Sequence, residues 1–138
     1  MVENFRILEH IADTGFEAYG ESEEEALANA AVALVSIITD PEQIKIDGEK
    51  TIEVEGDDRE HLVVRYLNEL LYVIDGESFL PAKAEVTLGG GHTLKAVLSG
   101  ETRTGGHDVR TDVKAITYHQ LAFQRTETGY IIRVFVDI

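Results

Sequence analysis

The sequence predicts an α+β fold: one two-layer domain with two helices packed on one face of a largely antiparallel, or mixed, β-sheet. Two stretches, near 22–39 and 57–75, carry apolar residues at helical spacing behind acidic caps. Most of the remainder, above all residues 82–138, alternates apolar and polar residues between turn signals. Each helical stretch has a single apolar face, and a sheet is the economical cover for it. At 138 residues the chain reads as one domain, 1–138, long enough to bury a real core.

Residues 4–9 and 16–20 read as short strands flanking a turn at His10 to Gly15. Ser22 opens the first helix, with Glu25 as its capping-box partner and Glu23 and Glu24 at the positive end of the dipole. Leu27, Ala30, Ala31, Leu34, Ile37 and Ile38 form its core face, and Pro41 stops it near Thr39. Ile44 to Glu55 alternates around Asp47-Gly48 and reads as a hairpin. The second helix starts at Asp57 as cap, with Glu60 as its capping partner. Capping is the favoured role for Asp57 and Asp58. Its core face is Val63, Tyr66, Leu67, Leu70, Leu71 and Ile74, and Asp75-Gly76 ends it.

Strands at 82–88 and 93–99 follow, joined through Gly89 to Gly91. These glycines make a hairpin turn rather than a phosphate loop, since no Gly-Lys-Ser/Thr follows and no helix opens there. Gly100 to Asp112 is polar and reads as a mobile loop; Val113 to Gln124 and Tyr130 to Ile138 read as two long closing strands.

Composition narrows the function. There is no Cys, which removes disulfides, thiolate nucleophiles and Cys-based zinc sites. The start lacks a signal-peptide pattern, and the longest apolar stretch, Ala30 to Ile38, is about half a membrane span, so a soluble cytoplasmic protein is expected. The formal charge is −14, with 17 acidic and 4 basic residues in 1–60 against 9 and 8 in 61–138. Direct binding to nucleic acid is not expected, because phosphate contacts need clustered Lys and Arg. A basic protein partner suits this charge, as does plain solubility.

Chemistry concentrates at two places. In ILEHIADTGF, residues 7–16, His10 and Asp13 stand three apart before a Thr-Gly turn signal, which would fix a carboxylate at a strand end. At the other end, Asp137 offers a side-chain carboxylate and Ile138 an α-carboxylate. A three-residue hairpin loop at Glu127 to Gly129 would set His119 opposite Asp137 and bring KAITYH, 114–119, beside the terminus. With Asp13 added, three carboxylates surround one position. Hard oxygen donors favour Ca²⁺, Mg²⁺ or Mn²⁺. The bland alternatives are a solvated turn Asp and a frayed terminal acid.

HIAD, the capped helix at Ser22, GDD at 56–58, LNELLY at 67–72, KAITYH at 114–119 and the final Asp137-Ile138 occur in one order that resembles the archease family over essentially the whole chain. KAITYH and the terminal Asp-Ile carry most of the resemblance. Ile11 stands where the family usually has Thr. The resemblance implies a divalent ion, Ca²⁺ foremost, held by Asp13, Asp137 and Ile138. It also implies an accessory role: a protein cofactor of the RtcB-type RNA ligase of tRNA splicing, promoting guanylylation and repeated turnover and widening nucleotide use. His10 orients Asp13 or is structural; Lys114 pairs with a phosphate or carboxylate or is an ordinary edge-strand lysine; His119 contacts the site or the partner.

No nucleophile elbow, Ser-x-x-Lys or metalloprotease spacing is present, so an accessory protein is expected rather than an enzyme. An autonomous metal-dependent hydrolase using the same carboxylates and an acidic chaperone-like binding module are the rival readings.

Overall fold

The computed structural model describes residues 3–9 and 14–138. The element order is β1 (Phe5–Glu9), β2 (Thr14–Gly20), α1 (Glu23–Ile38), β3 (Gly48–Glu55), α2 (Arg59–Gly76), β4 (Phe79–Gly89), β5 (Thr93–Thr102), β6 (Ala115–Ile116), β7 (Ala122–Thr126) and β8 (Gly129–Asp137). The class is α+β, and the pairings are antiparallel. The strands divide into two sheets. One runs β1-β2-β8-β6, with β7 also on β8, and the other runs β3-β5-β4.

Both helices touch both sheets. α1 packs against β2 and β8 of the first sheet and β4 of the second, and α2 lies against β3 and β4 as well as β6 and β7. Between these layers the core faces named from periodicity are buried: Leu27, Ala30 and Leu34 from α1, and Val63, Tyr66, Leu67, Leu70 and Ile74 from α2. Ile132, Val134 and Val136 of β8 join them. Tyr66 is wholly buried and its hydroxyl donates to the Leu27 carbonyl at 3.0 Å, which ties α2 to α1. Without that acceptor the phenol would be a buried unsatisfied donor. Burial also pushes its pKa far above the ordinary 10.

The caps explain where the helices begin. Ser22 Oγ accepts from Glu25 N–H at 3.1 Å, as expected, while the Glu25 carboxylate reaches past the cap to Glu21 N–H at 3.4 Å. At α2 the cap is Asp58 rather than Asp57: Asp58 Oδ1 accepts from His61 N–H at 2.8 Å. His61, not Glu60, closes the box, its Nδ1 accepting from Asp57 N–H at 2.9 Å. A neutral imidazole can accept as a carboxylate does, and periodicity does not distinguish the two.

Asp47-Gly48 is not a hairpin turn. Ile44 to Asp47 follows a 3-10 turn at Pro41–Gln43, and β3 takes its partner from β5, with Gly48 opposite Gly100 and Glu55 opposite Thr93. Alternation shows that a segment is extended but not which strand it pairs with. Nor is 103–114 a loose loop. Arg110 N–H donates to the Ile38 carbonyl at 2.7 Å, its guanidinium donates to the Ser36 carbonyl at 2.7 Å, and Thr39 Oγ1 donates to the Asp108 carbonyl at 2.7 Å. These bonds satisfy the orphan carbonyls at the α1 C-terminus. Among the described residues no helix is long and apolar enough to cross a membrane.

Candidate functional site

Of the expected site residues, His10 and Asp13 lie outside the described residues, and Lys114, His119, Asp137 and Ile138 lie within them. The described part sits at one end of the first sheet, where β2 begins and β8 stops. β2 starts at Thr14, earlier than alternation indicates, and Thr14 stands across from Val136. Thr14 and Gly15 are strand residues, not the turn that Asp-Thr-Gly suggests. Gly15 is needed for space: an added Cβ would meet the Val134 carbonyl and lie 2.7 Å from Phe135 Cδ1.

The long strand expected over 113–124 is broken. β7 and β8 are joined through Glu127-Thr128, with Thr126 opposite Gly129. Residues 117–121 then leave the ladder: Ile116 pairs with Val136 and Ala122 with Arg133, so five residues stand against two. A tight turn takes up the difference, with Leu121 N–H donating to the Tyr118 carbonyl at 3.2 Å and Gln120 at φ 49°. Ala115, not His119, is therefore opposite Asp137. The correction follows from a loop one residue shorter than expected and from an interruption that no turn dipeptide announces.

His119 still belongs to this end. Its ring lies 5.5 Å from that of Phe135 at an interplanar angle of 60°. Beneath it, Thr117 donates through both N–H (3.0 Å) and Oγ1 (2.9 Å) to the Phe135 carbonyl, and His119 N–H donates to Thr117 Oγ1 at 3.3 Å. Lys114 N–H donates to the Asp137 carbonyl at 2.8 Å, so the final strand is held to its last residue. KAITYH thus frames the terminus through its backbone at Lys114 and Thr117. Sequence reading missed Gly15, Thr117 and Phe135, whose roles exist only once the register is known.

Asp137 is exposed, as are Lys114 and His119, and Ile138 and Tyr118 are 50% and 58% exposed. Among the described residues no three His, Asp or Glu side chains cluster as a metal site. Two surface grooves of about 560 Å³ lie elsewhere, one beside Glu53, Arg65 and Lys95, the other beside Arg6, Tyr19 and Tyr130.

The remaining histidines are structural. His107 Nδ1 accepts from Thr104 N–H at 2.9 Å, which places the proton on Nε2, 3.0 Å from Glu101 Oε2. Glu101 also accepts from Lys45 N–H at 2.7 Å. That backbone bond, with help from His107, holds its pKa below the ordinary 4.5.

Comparison with known proteins agrees with this geometry. Residues 5–138 match the model of the Archease protein family (MTH1598/TM1083). The chain belongs to the archease family. Protein archease of Archaeoglobus fulgidus is 39% identical over 137 residues, covering 97% of this chain and 98% of its own. Protein archease of Saccharolobus islandicus is 40% identical, covering 98% and 99%. Among solved structures, protein 1598 of Methanobacterium thermoautotrophicum superposes with a TM-score of 0.82 at 28% identity, covering 98% and 99% of the two chains. An archease of Thermotoga maritima, described as a possible chaperone, gives 0.68 at 26% identity over 95% and 94%. The archease fold thus extends over nearly the whole chain.

Proposed function

We propose that this archease is the activator of an RtcB-type RNA ligase, promoting guanylylation and multiple turnover and widening nucleotide use. In this reading Asp13, Asp137 and the α-carboxylate of Ile138 hold a divalent ion, Ca²⁺ foremost, with Mg²⁺ or Mn²⁺ as alternatives. The observation that carries it is the form of the carboxylate end. Asp137 and Ile138 stand exposed at the end of a sheet whose last strand is tied down by Lys114 N–H. An exposed carboxylate tip is built to enter another protein's site, whereas an enzyme keeps its reacting groups in a cleft.

The donor set suits the ion. The carboxylates offered are hard oxygen ligands of the kind that Ca²⁺, Mg²⁺ and Mn²⁺ take. Thr14 lies across from Val136, and Asp13 and Asp137 are the next residues along each chain, so connectivity keeps the two acids near each other. When bound, the ion supplies positive charge for nucleotide phosphates. The protein's own residues bind that ion and orient it. Lys114 and His119 flank the tip and are the candidates for contact with the ligase or its nucleotide.

A chaperone-like module is the second reading, favoured by the description of the Thermotoga relative and by the concentration of acid in residues 1–60. Guanylylation and ligation assays with the ligase, with and without this protein, decide between them. The activator reading expects faster guanylylation and repeated turnover only when both proteins are present. Unchanged ligase turnover overturns it, and nucleotide or RNA hydrolysis by this protein alone would instead support an autonomous hydrolase.

A further inference from the structure

Phe135 is 2% exposed yet lies outside the main hydrophobic core, to which its neighbours Val134 and Val136 both belong. Strand alternation puts its ring on the face of the first sheet opposite theirs. It is accommodated there because Gly15, directly across on β2, has no side chain to displace it, and because the His119 ring packs against it at 5.5 Å. The interruption at 117–121 delivers that histidine. Gln120 adopts a left-handed φ of 49°, the Tyr118 to Leu121 turn closes, and Thr117 fastens the segment to the Phe135 carbonyl with two hydrogen bonds. A left-handed non-glycine residue and a broken ladder are costs that the core does not require. They are spent on placing one exposed imidazole against one aromatic ring.

The three parts of this stack belong to the three segments that meet at the carboxylate end. Gly15 is two residues from Asp13, Phe135 is two residues from Asp137, and His119 ends KAITYH. We infer that His119 is a positioning residue: packed on Phe135 over Gly15, it fixes the end of β8 against the start of β2 and so sets the spacing of the carboxylates beyond them. It acts through the ring and not through its nitrogens. This inference rests on the carboxylate-site reading above and adds to it the device that preorganises the site. Groups that orient ligands without being ligands typically govern metal affinity about 10- to 100-fold.

The test uses the full chain as wild type, His119→Phe and His119→Ala, with two readouts: amide hydrogen exchange by NMR, and Ca²⁺ titration by calorimetry. His119 is exposed at a turn, so neither change opens the core. His119→Ala is expected to speed exchange of the Lys114 and Thr117 amides and to weaken Ca²⁺ binding about 10-fold or more, with the α2 amides unchanged. His119→Phe, which keeps a ring on Phe135, is expected to restore both. Unchanged Lys114 and Thr117 exchange in His119→Ala overturns the inference. So does a phenylalanine variant that exchanges normally but binds Ca²⁺ as poorly as the alanine variant, since the nitrogens would then be what matters. A wild-type protein that binds no Ca²⁺ overturns the calcium site instead, and the exchange readout still decides the stack.

Discussion

Thr14 faces Val136 across the β2–β8 ladder, and each is one peptide bond from an aspartate of the proposed site, Asp13 on one side and Asp137 on the other. Two acids separated by more than 120 residues of chain are thereby tied to adjacent strands, which is what a shared cation requires and what two unrelated surface acids would not show.

Asp13→Ala is expected to abolish stimulation of the ligase, as is Asp137→Ala. Asp137 is exposed, so its removal should change stability by no more than about 0.5 kcal/mol. Guanylylation rates alongside thermal melts check both changes; full stimulation by a folded Asp13→Ala protein would remove that residue from the site.

Leu70 is wholly buried on the core face of α2. Leu70→Ala should destabilise by roughly 2 to 5 kcal/mol through lost burial and the cavity left behind. Chemical denaturation measures it, and a midpoint that barely moves would place the core elsewhere.

Gly15→Ala puts a methyl group against the Val134 carbonyl and 2.7 Å from Phe135 Cδ1, where backbone on one side cannot yield. Overpacking of this kind costs about 1 to 3 kcal/mol. If Gly15 served only a turn, the same substitution would leave the melt within experimental scatter.

Glu101 has its carboxyl pKa lowered on folding by the Lys45 amide and by His107. A depressed folded value means that the unfolded chain binds the proton more tightly. The stabilisation is therefore complete above the ordinary 4.5 and is lost as pH falls from there through the folded value. Glu101→Gln should flatten this acid limb of a stability-against-pH curve while leaving the slope at neutral pH unaltered. An acid limb identical to wild type would mean that the pair contributes nothing.

The helices were legible in the sequence because their signals are local. Ser22, the acidic first turn, Pro41 and the apolar faces of both helices act within a few residues of themselves. Asp58 replaced Asp57 as cap because a histidine, His61, took the role sought in Glu60. Strand partners were less legible, since β3 pairs with a strand from the far side of α2 and no local pattern records that choice. The site shows the same division. Asp137, Ile138 and KAITYH could be named from composition and resemblance, but His119 was set opposite Asp137 because a break at 117–121 cannot be read from residues that individually suit a strand. Gly15 and Phe135 carry meaning only as a pair, and the pair exists only in the register.

The central claim is that the last two residues form part of a cation site that acts on the ligase. The most direct measurement is calorimetric Ca²⁺ titration of two forms of the protein, one extended by a short tag after Ile138 and one carrying the same tag before Met1. The extension converts the α-carboxylate to an amide and removes one anionic oxygen donor, while Ile132, Val134 and Val136 keep their packing. The account predicts weaker Ca²⁺ binding and lost ligase stimulation for the C-terminal tag, with both retained for the N-terminal one. Equal affinities in the two forms would contradict it and leave Asp137 and Ile138 as an ordinary chain end.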